Sequence, residues 1–72
     1  MKIFTKYSFT QREIEVLEKI VEGKNNTEIA NALFISSHTA KAHVCSIFKK
    51  MEVGNKVEAA VKAVIEGLVN YK

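Results

Sequence analysis

The chain has 72 residues, which allows one small domain with a modest hydrophobic core. Hydrophobic residues make up 47% of the chain, and Leu, Ile, Val and Phe recur throughout, which argues against a disordered protein. Pro and Trp are absent and only three Gly occur, whereas Ala, Glu, Lys, Ile and Val are abundant. This composition favours helices, and we predict an all-α domain.

The formal net charge of +3 is compatible with a polyanionic partner but does not require one. The positive excess is local, because the segment 24–56 holds five Lys against two Glu. The single Cys cannot form an internal disulfide. No apolar run approaches the roughly 20 residues of a membrane span, and no signal-peptide pattern is present. These features predict a protein of the reducing cytoplasm.

The first nine residues mix Lys, Thr, Ser and aromatic side chains without a clear period. We interpret residues 1–9 as an arm that precedes a domain at residues 10–70. We expect one of the aromatic side chains of the arm to pack on that domain: Phe4, Tyr7 or Phe9.

Capping boxes predict where three helices begin. In this motif a Thr or Asn is followed three residues later by a Glu, and each side chain accepts a hydrogen bond from the backbone amide of the other residue. The pairs are Thr10 with Glu13, Asn25 with Glu28, and Asn55 with Glu58. Together with the apolar residues that follow, they predict helices at about 11–22, 26–34 and 56–69.

A further helix is predicted at about 37–51, with Ser36 or Ser37 as its cap, so only residues 34–36 form a turn. This order of a short helix, a tight turn and a longer helix is that of a helix-turn-helix unit, whose second helix enters the major groove of DNA. This helix has an apolar face: Ala40, Val44, Ile47, Phe48 and Met51. Its opposite face is mostly polar or small: His38, Lys41, Ala42, Cys45 and Lys49. The second face can approach base edges, although any amphipathic helix is polar outward.

Several segments resemble the LuxR-type (GerE-like) DNA-binding domain. They read FTQREIEVL at 9–17, GKNNTEIA at 23–30, LFIS at 33–36, HTAKAHV at 38–44 and KKMEVGNKVEAA at 49–60. The resemblance covers about residues 9–69 and implies a four-helix orthogonal bundle that binds double-stranded promoter DNA as a homodimer. It further implies that the third helix reads the groove, that the fourth forms the dimer contact, and that RNA polymerase is a candidate partner. It fits a stand-alone regulator or an excised effector domain equally well.

The resemblance places Lys41 and Ala42 toward bases, where Lys41 can donate to guanine O6 or N7 and Ala42 can touch a thymine methyl group. It places four residues near the phosphate backbone: Thr39, His43, Lys49 and Lys50. Residues at the beginnings of the second and fourth helices can add phosphate contacts, which position the protein without reading sequence. The predicted DNA-binding residues are Asn26, Thr27, His38, Thr39, Lys41, Ala42, His43, Cys45, Lys49, Lys50 and Lys56.

Some of these positions have other interpretations. His43 can instead be a partly buried side chain bonded to the backbone, and the two adjacent lysines, Lys49 and Lys50, can be a solvated helix end favoured by the helix dipole. The sequence also departs from the family pattern. Ser37 replaces a frequent Pro, Cys45 replaces a long polar side chain, which changes one groove contact, and Ala40 replaces a larger Val and is expected to pack less well.

The fourth predicted helix carries two apolar sets. The larger side chains are expected to form its core face: Val57, Val61, Val64, Ile65 and Leu68. The small ones are expected to form a surface on which a second copy docks: Ala59, Ala60 and Ala63.

We therefore predict a sequence-specific DNA-binding transcription regulator that acts as a dimer on an imperfect palindrome with half-sites about one helical turn apart. The alternative is a helical protein-interaction module whose basic face is incidental. A membrane-surface unit fits less well, because the apolar stripes complement one another. Cys45 lacks a ligand cluster and an orienting acid, so we expect no enzyme activity, no metal and no cofactor.

Overall fold

The computed structural model describes residues 7–69, which form four α-helices and no strand. The helices are α1 Gln11–Val21, α2 Asn26–Leu33, α3 Ser37–Met51 and α4 Lys56–Ile65. The all-α, four-helix prediction is confirmed, and α3 has the predicted bounds. The other three helices end earlier than predicted. The expectation for Phe4 lies outside the described residues.

The helices begin at the predicted caps, with one difference in α4. In α1 and α2 both bonds of the capping box are present. Ser36 rather than Ser37 caps α3, and its Oγ accepts the Thr39 amide at 3.0 Å. At α4 the Asn55 side chain accepts the Glu58 amide, but the Glu58 carboxylate accepts from the Gly54 amide at 2.7 Å. The third capping box is therefore only half formed.

Each helix is followed by a residue with positive φ that turns the chain away from the helix axis. These residues are Gly23, Phe34, Glu52 and Gly67, with φ of 88°, 58°, 59° and 70°. After α4, the Leu68 amide donates to the Ala63 carbonyl oxygen at 2.8 Å, which closes the helix end. The prediction that α4 continues to residue 69 is wrong, because the chain turns at Gly67 and folds Leu68 and Val69 back into the core.

The core lies where α1 meets the other helices. α4 packs mainly on α1, whereas α3 packs on both α1 and α2. Side chains from all four helices and the C-terminal turn are buried together: Val16, Leu17, Ile20, Ile29, Ala30, Ala40, Val44, Ile47, Met51, Ala59, Ala63, Leu68 and Val69. Tyr7 and Phe9 pack against this core with their ring centroids 5.4 Å apart, as expected for the arm.

The two faces of α4 are the reverse of the prediction. Ala59 and Ala63 are fully buried and Ala60 is half-buried, so the expected alanine surface for a second copy is wrong. The expected core stripe is also wrong, because Leu68 alone is buried and it lies beyond the helix. The other four side chains are exposed: Val57 at 73%, Val61 at 53%, Val64 at 44% and Ile65 at 77%. The small alanines let α4 pack closely against α1, which leaves the larger side chains outside.

Candidate nucleic-acid interface

The outward face of α3 consists of the side chains that the sequence assigned to it. Exposed side chains cover it along its whole length: His38, Lys41, Ala42, Cys45 and Lys49. The opposite face is buried under α1 and α2 through Ala40, Val44, Ile47 and Met51. Residues 34–36 connect α2 to α3. We call these five exposed side chains the reading face.

The N-terminal turn of α3 offers hydrogen-bond donors to a phosphate. Ser36 Oγ donates to Thr39 Oγ1 at 2.9 Å, so the Thr39 hydroxyl keeps its own hydrogen for another acceptor. Thr39 is exposed. The Thr39 amide donates to Ser36 Oγ, and the amides that precede it in the first helical turn point out of the helix end, where the helix dipole also favours an anion. This end of α3 can therefore hold a backbone phosphate beside the reading face.

Lys50, which was predicted to contact phosphate, is instead held by acceptors within the protein. Its Nζ lies 2.6 Å from Glu13 Oε1, donates to the Ser8 carbonyl oxygen at 2.7 Å, and sits 5.9 Å from the centre of the Phe9 ring. An ammonium with these partners has little capacity left for DNA. Its neighbour Lys49 is exposed and is the better candidate for a phosphate contact at this end of α3.

The partner of Lys50 is a buried carboxylate. The Glu13 side chain is 6% exposed and accepts hydrogen bonds from Lys50, from Ser46 Oγ at 2.6 Å and from the Thr10 amide at 2.9 Å. Burial by itself raises the pKa of Glu13, but these donors and the charge of Lys50 outweigh it and lower the pKa to about 2. Glu13 is therefore ionised at neutral pH and binds α3 to the beginning of α1.

The remaining predicted residues lie outside the reading face. His43 is half-buried on the flank of α3, and Thr27 is exposed at the beginning of α2. Asn26 is half-buried, and its Oδ1 is buried without a hydrogen-bond partner among the residues described. Lys56 lines a surface groove between the end of α1 and the beginning of α4, where Lys24 also lies. Lys24 is a cation that the sequence analysis did not single out, although its position after the Gly that ends α1 was visible.

Two further observations bear on the kind of site. Within residues 7–69, no group of three or more His, Cys, Asp or Glu side chains is gathered closely enough to hold a metal ion. None of the helices in that range is both long and apolar enough to cross a membrane.

A short helix, a tight turn and a longer helix with an exposed, Lys-bearing face together define a helix-turn-helix DNA-binding domain. Residues 7–63 match the family model described as bacterial regulatory proteins, luxR family, and the chain belongs to that family. Its function is DNA binding in transcription regulation. The family is one of transcription regulators, which favours DNA binding over the protein-interaction module.

Known regulators and one solved structure are similar to the chain. The uncharacterised transcriptional regulatory protein YhcZ of Bacillus subtilis is 50% identical over 58 residues, which is 81% of this chain and 27% of that protein. LiaR of the same organism is 46% identical over 63 residues, 88% of this chain and 30% of LiaR. The response regulator ChrA of a heme-sensing two-component system superposes with a TM-score of 0.82 at 33% identity, covering 92% of this chain and 33% of ChrA. The chain thus spans about a third or less of each of these proteins.

Proposed function

We propose that the domain recognises a specific promoter sequence by placing the N-terminal half of α3 in the major groove. The observation that carries this proposal is the reading face itself, which is exposed and combines lysines with small side chains. Lys41 donates to guanine, whereas Ala42 leaves room for close approach and touches a thymine methyl group. Cys45 gives the centre of the face an apolar contact where a longer polar side chain would reach a base. His38 lies at the N-terminal edge of the same face.

Contacts to the DNA backbone hold α3 in register. Thr39 and the amides at the beginning of α3 bind one phosphate, and Lys49 binds another near its end. Two cations and a hydroxyl group at the edges of the domain add phosphate contacts: Lys56, the neighbouring Lys24 and Thr27. Asn26 and His43 stay predictions as backbone contacts. Lys50 is left out of this set because Glu13 and Ser8 occupy its ammonium.

We further propose that two copies bind an imperfect palindrome through α4, by a different face from the predicted one. The α4 apolar face consists of Val57, Val61, Val64 and Ile65, and exposed apolar patches of this kind mark interaction surfaces. The ridge formed by Val57 and Val61 separates two surface grooves. A second copy related by a two-fold axis presents the same ridge and grooves, so each ridge can enter a groove of the other copy.

The second groove is lined mainly by apolar side chains, with Val53 and Ile65 beside the ridge. The charged ends of Glu58 and Lys62 bond to the Gly54 amide and the Met51 carbonyl oxygen within the chain, so a second copy can cover the groove with apolar side chains. One ten-residue helix buries less than the roughly 800 Å² per partner of a standard stable interface. We therefore expect the dimer to be weak in solution and to form on DNA. Action in the cytoplasm and a contact with RNA polymerase stay predictions.

Selection of bound sites from random double-stranded DNA tests the proposal. We expect an enriched motif with two inverted half-sites about one helical turn apart. Gel-shift titration then compares the selected site with a scrambled sequence of the same composition. Equal affinity for both at physiological salt would contradict sequence-specific recognition. An enriched single half-site without a repeat would contradict the dimer and leave the reading face intact.

A further inference from the structure

Glu13 is the buried charged residue of the described part of the chain, and its hydrogen bonds join two helices. One carboxylate oxygen, Oε2, accepts from Ser46, and the other, Oε1, accepts from Lys50 and from the Thr10 amide. The Thr10 bond closes the capping box of α1, so the carboxylate is fixed relative to its own helix. Ser46 and Lys50 belong to α3.

The two attachment points on α3 lie one helical turn apart. Ser46 and Lys50 are four residues apart and therefore occupy the same flank of the helix. Each directly follows a residue of the reading face, Cys45 and Lys49. Apolar packing beneath α3 is non-directional, whereas two short hydrogen bonds to a fixed carboxylate restrain the helix in direction and distance. The pair thereby restrains both the rotation of α3 about its axis and its position along that axis.

We propose that Glu13 is a positioning residue for base recognition, which holds α3 through Ser46 and Lys50 at the rotation that aims Lys41 and Ala42 at the bases. The inference rests on the proposed function, because it assumes that the reading face contacts DNA. A binding site needs its contact groups held within about 0.5 Å of their working positions. Rotation of α3 displaces the reading face sideways across the groove. Loss of the restraint should therefore weaken the base contacts more than the phosphate contacts.

The first test compares Glu13→Gln with the matched control Glu18→Gln, which makes the same change at an exposed site of the same helix. Affinities for the selected and scrambled sequences are measured where circular dichroism shows both variants folded. We expect Glu13→Gln to lower the ratio of specific to non-specific affinity by about tenfold, comparable to losing the contribution of one base pair. Affinity for scrambled DNA should match that of Glu18→Gln. A purely structural role would leave the ratio unchanged in the folded protein, and that result would overturn the proposal.

A second pair of variants separates positioning from direct phosphate contact by Lys50. Lys50→Met should lower the specificity ratio without changing the slope of log K against log salt concentration, and Lys50→Arg, which keeps the ion pair, should restore the ratio. A phosphate contact would instead reduce the slope by about 0.9. A reduced slope with an intact ratio would overturn the proposal.

Ser46→Ala keeps every charge and removes one hydrogen bond between α3 and Glu13. It therefore replaces Glu13→Gln as the test if that variant does not fold. It should lower the ratio by a smaller factor, and a wild-type ratio would overturn the proposal. If the wild-type domain itself shows no preference for any sequence, the proposed function fails as well. If the wild type is selective and the variants match it, only the positioning role fails.

Discussion

Helices α3 and α4 both pack on α1, but they present opposite chemistry to solvent. α3 buries large apolar side chains such as Ile47 and Met51 and exposes cations and small residues. α4 buries alanines and exposes valines and an isoleucine. In the described part of the chain the outer surface of α3 is polar or small, whereas the outer surface of α4 is apolar and exposed. This difference is the basis on which we propose that α3 binds a polyanion and α4 binds protein.

The two helices also differ in the polar contacts that attach them. α3 is held by the buried Glu13 carboxylate. α4 is held by Lys62, whose Nζ donates to the Met51 carbonyl oxygen at 2.8 Å, and by an exposed bond of 3.0 Å from the Tyr7 hydroxyl to Glu66. A carboxylate thus sits in the buried attachment of α3, so acid should weaken the docking of the reading helix.

The largest expected effect tests which face of α4 is inside. Ala63→Leu places three extra carbons into the closed seam between α4 and α1 and should lower the free energy of unfolding by about 1–3 kcal/mol. For a domain of this size this corresponds to a fall in Tm of roughly 4–20 °C, measured by circular dichroism.

Ala32→Leu is the matched control, because it makes the same change at an exposed position of α2. It should alter the free energy of unfolding by less than about 0.5 kcal/mol. If Ala63→Leu is as stable as this control, Ala63 faces solvent and the assignment of the two faces of α4 is wrong.

The wrong prediction for the faces of α4 shows what a periodic pattern of apolar residues can and cannot indicate. Ala, Val and Ile surround most of this helix, so its period indicates a helix without indicating which side is buried. The pattern predicts that the larger side chains lie in the core, but the side of α4 that packs on α1 holds the small side chains of Ala59 and Ala63. The early end of α4 had a visible signal in Gly67, of the same kind as the Gly23 that ends α1. No such signal exists at Phe34, because a Phe seldom adopts positive φ.

The candidate site was predictable to the extent that it depends on one helix. The reading face follows from the spacing of residues along α3 and from its cap, both of which are local. The role of Lys50 was not predictable, because its partner Glu13 lies 37 residues away in sequence and on another helix. The capping box already explains why a Glu stands at position 13. The sequence therefore gives no sign that its carboxylate also bonds to α3.

The second prediction concerns the attachment of α3 in acid. A lowered pKa means that Glu13 stabilises the folded state above the pKa of an unfolded Glu, about 4.3, and that this stabilisation is lost as the pH falls toward about 2. Wild type should exceed Glu13→Gln in free energy of unfolding by about 2 kcal/mol at pH 6, allowing for the partly exposed Lys50. Urea denaturation from pH 6 to pH 3 should show this difference narrowing.

Glu18→Gln again serves as the control and should differ from wild type at pH 6 by less than about 0.5 kcal/mol. A difference between wild type and Glu13→Gln that stays constant across this pH range would mean that the carboxylate charge does not hold α3.

The third prediction tests the protein-binding character of α4. Val61→Asp places a charge in the middle of the α4 apolar face, and two copies related by a two-fold axis then oppose two carboxylates. Affinity for the complete palindrome should fall by about tenfold because the two copies no longer help each other to bind. Affinity for a single half-site and Tm should stay near the wild-type values. Val61→Ala, which shortens the side chain without adding charge, should cause a smaller loss, and equal palindrome affinity for all three proteins would remove α4 from the interface.

The smallest effect tests the polyanion-binding character of α3. Lys49→Gln should make the slope of log K against log salt concentration shallower by about 0.9, because one fewer counterion is released per bound domain. Selected and scrambled DNA should lose affinity by the same factor, since a phosphate contact carries no sequence information. Lys19→Gln makes the same charge change on α1 and is expected to leave the slope unaltered. If the two variants have equal slopes, the end of α3 lies away from the DNA backbone, and α3 reads the groove through its first two turns alone.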